Sequence, residues 1–167
     1  MYAPQDLPAQ KTSSVDGYAL RRKQSPFHCS SYVADGLFNF LDTDQPGTYK
    51  VITSETHSIS DVLPEGTVYR INTGGPLPAG TDAVIMVECT RLVSSVKDDN
   101  GDDIEEHEVE ILESASLDEN VRQPGSDVKQ GELVLQKGEI LRSAGGELGT
   151  LAFIGRKEVR CIILNGE

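Results

Sequence analysis

Short alternating and β-branched runs, separated by turns rich in Gly and Pro, dominate the chain. Residues 17–20 read as a short strand. Residues 49–53 alternate and are β-branched, which predicts a strand. Residues 68–73 predict another, with Val68 and Arg70 on one face and Tyr69 and Ile71 on the other. Residues 83–88 are a continuous apolar run ending in charge, the pattern of a buried strand. Residues 91–96 and 104–112 flank Asn100-Gly101, and Asn-Gly supports the positive φ that a tight hairpin needs. Residues 133–135 and 159–164 read as two further short strands. Loops are marked by Pro64-Glu65-Gly66, by Gly74-Gly75-Pro76-Leu77-Pro78-Ala79-Gly80, by Pro124-Gly125 and by Lys137-Gly138. Residues 143–155 are the one helix candidate, with Ser143 as its cap, Leu148, Leu151 and Ala152 on one face, and Gly155 as its stop. The expected fold class is therefore mainly β with one C-terminal helix.

Composition narrows the function classes. Apolar residues make up 37% of the 167 positions, enough for a core, and the formal net charge is −12. Such a balance repels phosphate backbones and anionic lipid surfaces, so no nucleic-acid or membrane partner is expected. Much of the acidity falls in residues 98–110, which read as a solvated loop. Placed on the calcium-loop pattern from Asp98, the Gly position falls on Asp103 and the bidentate Glu position on Val109, so calcium is not expected. Cys29, Cys89 and Cys161 are odd in number and widely spaced, without CxxC, which predicts reduced thiols and no zinc site. No apolar run is long enough to span a membrane, and no basic and apolar leader is visible. A cytoplasmic location is expected.

No standard nucleophile elbow, Walker-type loop or GxGxxG is present. Three segments hold chemistry instead. In Ser13-Ser14-Val15-Asp16-Gly17-Tyr18-Ala19 a carboxylate sits on a bend at a strand entrance, where it can cap backbone N–H groups or point into a cleft. In residues 73–83 two Gly and two Pro shape a loop bracketed by the Thr73 hydroxyl and the Asp82 carboxylate, suited to an anion or to a plain wide turn. In residues 120–127 Arg122 offers a planar fork of donors to an oxyanion, or a partner to Asp127.

In this order and spacing the three segments resemble the molybdopterin molybdotransferases, the family of bacterial MoeA and of the plant and gephyrin E-domains. The first is similar to that family's S-x-M/V-D-G-Y-A stretch. Residues 73–88 are similar to T-G-A-P-x-P-x-G-A-D-A-V-V-x-V-E, with Gly75 and Thr81 at positions that usually hold Ala. Residues 120–127, with Gly131-Glu132 and Gly138, are similar to N-x-R-x-x-G-x-D-x-x-x-G-E…G. The resemblance implies an elongated domain, residues 1–15 and 117–167, carrying an inserted β-barrel-like domain, residues 16–116. It implies a role in molybdenum cofactor biosynthesis, inserting molybdate into adenylylated molybdopterin with Mg2+ assisting. The family's pterin-binding domain is not expected within these residues. Asp16 and Thr73 map to cleft-lining positions and are the implied catalytic pair, with Asp16 the implied Mg2+ ligand. Ser13, Gly74 and Arg122 are the implied substrate-binding residues. The partners implied are a second copy of the chain and the pterin-binding domain of a full-length partner. A non-catalytic dimerisation or scaffold module of gephyrin type is the alternative.

Overall fold

The computed structural model describes residues 1–22, 46–97, 101, 103–142 and 145–162. Ser143, Asn100 and Cys29, each given a reading above, lie outside the described residues. The elements in order are β1 (Thr12–Ser13), β2 (Gly17–Leu20), β3 (Gly47–Ile52), β4 (Thr67–Ile71), β5 (Ala83–Met86), β6 (Thr90–Lys97), β7 (Asp103–Ile111), β8 (Val121–Arg122) and α1 (Gly146–Phe153). The chain divides into two compact units, Lys11–Arg122 and a second built from Met1–Gln10 with Gln123–Glu167. The described residues are thus mostly β with a single α-helix, the expected class.

The Lys11–Arg122 unit holds a six-stranded sheet in the order β5-β2-β4-β3-β7-β6, and the pair β1-β8. Among the described residues the large sheet is open, with β5 and β6 at its edges, and is not closed into a barrel. Neighbours run antiparallel except β3 on β4. Its central strands are covered on both faces. Successive side chains alternate across a strand, so Tyr18, Leu20, Val68, Ala83, Ile85, Val109 and Ile111 join one cluster, while Ala19, Tyr69, Ile71 and Val84 join the other. The face assignment for Val68 against Tyr69 and Ile71 holds. Each fully buried Val or Ile contributes about 1.5–3 kcal/mol through removal of apolar area from water. β6 and β7 form the expected hairpin, and their register slips between Leu92 and Ser94, between Ser94 and Ser95, and between Val96 and Lys97.

Several predicted bounds move for local reasons. β4 stops at Ile71 because Asn72 O accepts from Gly75 N–H at 2.9 Å, closing a turn through Gly74 at φ 80°. β5 stops at Met86 because Val87–Cys89 coils into a 3-10 turn, and the Thr90 hydroxyl donates to Val87 O at 2.8 Å. No strand forms at 133–135, where Leu133 makes only an isolated bridge to Tyr2. Nor does one form at 159–162, and residues 163–164 lie outside the described part.

In the other unit, Leu7 N–H donates to Val128 O at 2.8 Å and Ala3 N–H to Glu132 O at 2.9 Å. Helix α1 begins later than predicted, with Gly145 as an N-cap that makes no side-chain bond. Leu151 is its one buried residue, so the predicted face of Leu148, Leu151 and Ala152 is narrowed to that side chain, followed by the fully buried Ile154. The stop is as expected. Gly155 adopts φ 74°, its N–H reaches Ala152 O, and Arg156 N–H reaches Leu151 O. That pair of bonds is a Schellman ending, which satisfies the last carbonyls.

Candidate functional site

Asp16 occupies the bend that leads into β2, and three contacts fix that bend. The Asp16 carbonyl accepts from Val87 N–H at 3.2 Å. Gly17 packs so closely on β5 that an added Cβ would lie 1.9 Å from Ile85 O, so only glycine fits. The Gly17 carbonyl accepts from Arg70 Nη1 at 3.2 Å. Asp16 is exposed, and its Oδ1 accepts two bonds from one residue, Thr73 N–H at 2.6 Å and the Thr73 hydroxyl at 3.0 Å. The two residues are 57 apart in sequence. They meet because β2 and β4 pair Gly17 with Ile71, which brings the turn after β4 alongside the bend before β2.

The loop after β4 is held from the other side by β1. Gly74 N–H donates to Ser13 O at 2.8 Å, and Ser13 N–H donates to Gly75 O at 2.9 Å. Ser13 is fully buried. Its hydroxyl donates to Val15 O at 2.5 Å and accepts from Val15 N–H at 3.2 Å, bracing the segment that delivers Asp16. Asn120 adds a second brace: its carbonyl accepts from Ser14 N–H at 2.9 Å, and its Nδ2 donates to Val84 O at 2.9 Å. Arg122 stands on β8 opposite Thr12. The structure therefore brings Ser13, Asp16, Thr73 and Gly74 into one contiguous group, with Arg122 on the strand paired to the segment that carries Ser13. Asp82 has a bracing task, accepting from Arg22 N–H at 3.1 Å.

The Thr73 backbone N–H holds the Asp16 carboxyl below its ordinary value. The Thr73 hydroxyl acts in the same direction, desolvation opposes both, and the Arg70 guanidinium makes a smaller contribution that lowers the carboxyl further. The Thr73 hydroxyl proton is engaged on Oδ1, while Asp16 Oδ2 has no hydrogen-bond partner among the described residues. Asp16 is thus exposed and ionised at neutral pH, with one carboxylate oxygen not engaged by the described residues. Behind it, the Tyr18 hydroxyl donates to Glu106 Oε2 at 2.7 Å, and Arg70 Nε lies 3.4 Å from the same oxygen. Burial, then the Glu106 bond, pushes the Tyr18 phenol well above its ordinary range.

Arg70, Glu106 and Asn120 are contributors that sequence reasoning did not single out. One signal was available: Arg70 shares a face with Val68, and a guanidinium on a core-facing side requires partners. The identity of those partners depends on strand order.

Among the described residues no group of three or more His, Cys, Asp or Glu side chains converges as a metal cage. A single outward carboxylate nonetheless suits Mg2+, which keeps several waters and takes one or two carboxylates plus substrate phosphates. No described helix is long and apolar enough to cross a membrane. Cys89 and Cys161 are free thiols.

Residues 1–155 match the family described as MoeA N-terminal region (domain I and II). The chain is 31% identical to a gephyrin of Dictyostelium discoideum over 158 residues, covering 93% of this chain and 19% of that protein. It is 29% identical to a molybdopterin molybdenumtransferase of Haemophilus influenzae, covering 95% of this chain and 32% of the relative. A solved molybdopterin biosynthesis MoeA protein from Pyrococcus horikoshii superposes with a TM-score of 0.63 at 26% identity, covering 93% of this chain and 33% of that one. The chain thus spans between a fifth and a third of the length of these relatives. With the D-G-Y bend and the T-G-G-P loop meeting at the Asp16–Thr73 pair, this chain belongs to the MoeA N-terminal family.

Proposed function

We propose that the chain takes part in molybdenum cofactor biosynthesis, as the portion of a molybdopterin molybdotransferase that supplies one wall of the catalytic cleft. The observation that carries this reading is the Asp16–Thr73 pair, an exposed carboxylate held ionised with one oxygen engaged by Thr73 and the other not engaged by any described residue. Its substrates are molybdate and adenylylated molybdopterin, and the pterin-binding wall comes from a full-length partner in a homodimer-like, cytoplasmic assembly. Mg2+ bound at the site would neutralise phosphate charge and polarise coordinated oxygen. Asp16 would hold that hydrated ion through its unengaged carboxylate oxygen. Thr73 keeps the carboxylate pointed outward and offers its oxygen to a bound water. Ser13 and Gly74 keep the loop backbone in place, and Arg122 supplies positive charge on the neighbouring strand pair.

Complementation tests this. The chain is mixed with a full-length relative carrying Asp→Asn at its own D-G-Y motif, and cofactor formed from molybdate and adenylylated molybdopterin is measured with Mg2+ present. The wild-type chain should restore synthesis and Asp16→Asn should not. Equal output from both, or none from either, would sink the catalytic reading. Dimer formation without synthesis would favour a non-catalytic scaffold module of the gephyrin type.

A further inference from the structure

We infer that Arg70 is a positioning residue for Asp16: its guanidinium ties the Gly17 carbonyl to the Glu106 carboxylate and so fixes the bend that aims Asp16 at Thr73. The inference rests on the reading that Asp16 is the working carboxylate. Arg70 is engaged on three sides. Nη1 donates to Gly17 O at 3.2 Å, Nε lies 3.4 Å from Glu106 Oε2, and the guanidinium carbon sits 5.2 Å from the centre of the Tyr18 ring. Glu106 is fixed in turn by the Tyr18 hydroxyl at 2.7 Å. Tyr18 immediately follows Gly17, so the network closes on the backbone it holds.

Placement supports a steering role over a stabilising one. Arg70 and Glu106 side chains are 31% and 34% exposed, and an ion pair that open to water adds little to stability. A planar guanidinium, however, offers donors in fixed directions, so it can hold a carbonyl and a carboxylate at once, which an ammonium does poorly. Gly17 has no side chain with which to anchor the bend, and its close approach to Ile85 O forbids one. The carbonyl is what remains to grip. Glu106 sits on β7, two strands from β4 in the sheet order, so the network ties the hairpin to the site.

The test reads the Thr73 amide proton by NMR in the full chain, because a short bond from N–H to a carboxylate shifts that proton downfield. Arg70→Met and Glu106→Gln should both move it upfield, Glu106→Gln by less. The two variants remove charges of opposite sign, so movement in the same direction reports geometry, whereas opposite directions would reveal a field effect and overturn the proposal. Arg91→Met, which breaks the Arg91–Glu110 pair on β6 and β7 of the same sheet, should leave the signal in place. An unmoved Thr73 amide in folded Arg70→Met would also overturn it. If Arg70→Met does not fold, Glu106→Gln decides: an unmoved amide there has the same consequence. Titration with MgCl2 separates this inference from the functional reading. A Thr73 amide that responds to Arg70→Met in a chain whose Asp16 signals ignore Mg2+ counts against the functional reading and leaves the positioning role intact.

Discussion

At Asp16 a single oxygen accepts both a backbone and a hydroxyl bond from Thr73, and that double engagement sets how the site responds to acid. The folded carboxyl titrates below its ordinary value of 3.8. A depressed carboxylate favours the fold above the unfolded value, and that contribution disappears as pH falls through the folded one. Thr73→Val removes the hydroxyl bond and keeps the N–H bond, so the Asp16 midpoint should rise part of the way towards 3.8, as read from the side-chain carboxyl carbon by NMR. A midpoint that stays put would mean that the hydroxyl contributes nothing. Asp16 and Thr73 were both legible as residues, through the D-G-Y and T-G-G-P motifs. That one bonds the other follows from the pairing of Gly17 with Ile71, a long-range register that no local spacing encodes. The Ser13 hydroxyl, by contrast, turns to Val15 two residues on, a local contact.

Strands with a strong period or a continuous apolar run were the most legible elements, since β2, β4 and β5 bury residues on both faces and the sequence has to supply them. Their ends were less so. Thr90 and Gly75 terminate strands through hydrogen bonds made in turns, and those compete with one more ladder pair. The predicted strand at 133–135 lacks a long enough partner, because only Tyr2 lies opposite Leu133 as a bridge. Helix α1 begins at Gly146 after Gly145, which offers no capping side chain, so its start falls beyond Ser143, the residue expected to cap it. Its end was marked: Gly155 at φ 74° accepts a backbone that a Cβ resists. Gly155→Ala should therefore destabilise the unit holding α1 by on the order of 1 kcal/mol, measured by urea unfolding followed by circular dichroism. No loss of stability would show that the Schellman ending relaxes without cost.

For the whole molecule, the net charge of −12 adds like-charge repulsion against non-specific association of copies. The charge was fully legible in the sequence; the strand order that decides which edges face solvent was not. Among the described residues β6 is an edge strand of eight residues, and Leu92, Val93 and Val96 on it are each about half exposed. A straight strand of that length and character is a template for adding another chain's strand. One of the register slips places its extra residue, Val93, on β6 itself, where a bulge twists the strand and interrupts its outer row of backbone groups, and that irregularity is expected to guard the edge against polymerisation. Deleting Val93, the residue skipped between Leu92 and Ser94, should flatten that edge. The variant should then form concentration-dependent higher species in sedimentation velocity beyond whatever the parent chain forms at the same concentration. An unchanged distribution would mean that charge alone keeps the edge unpaired.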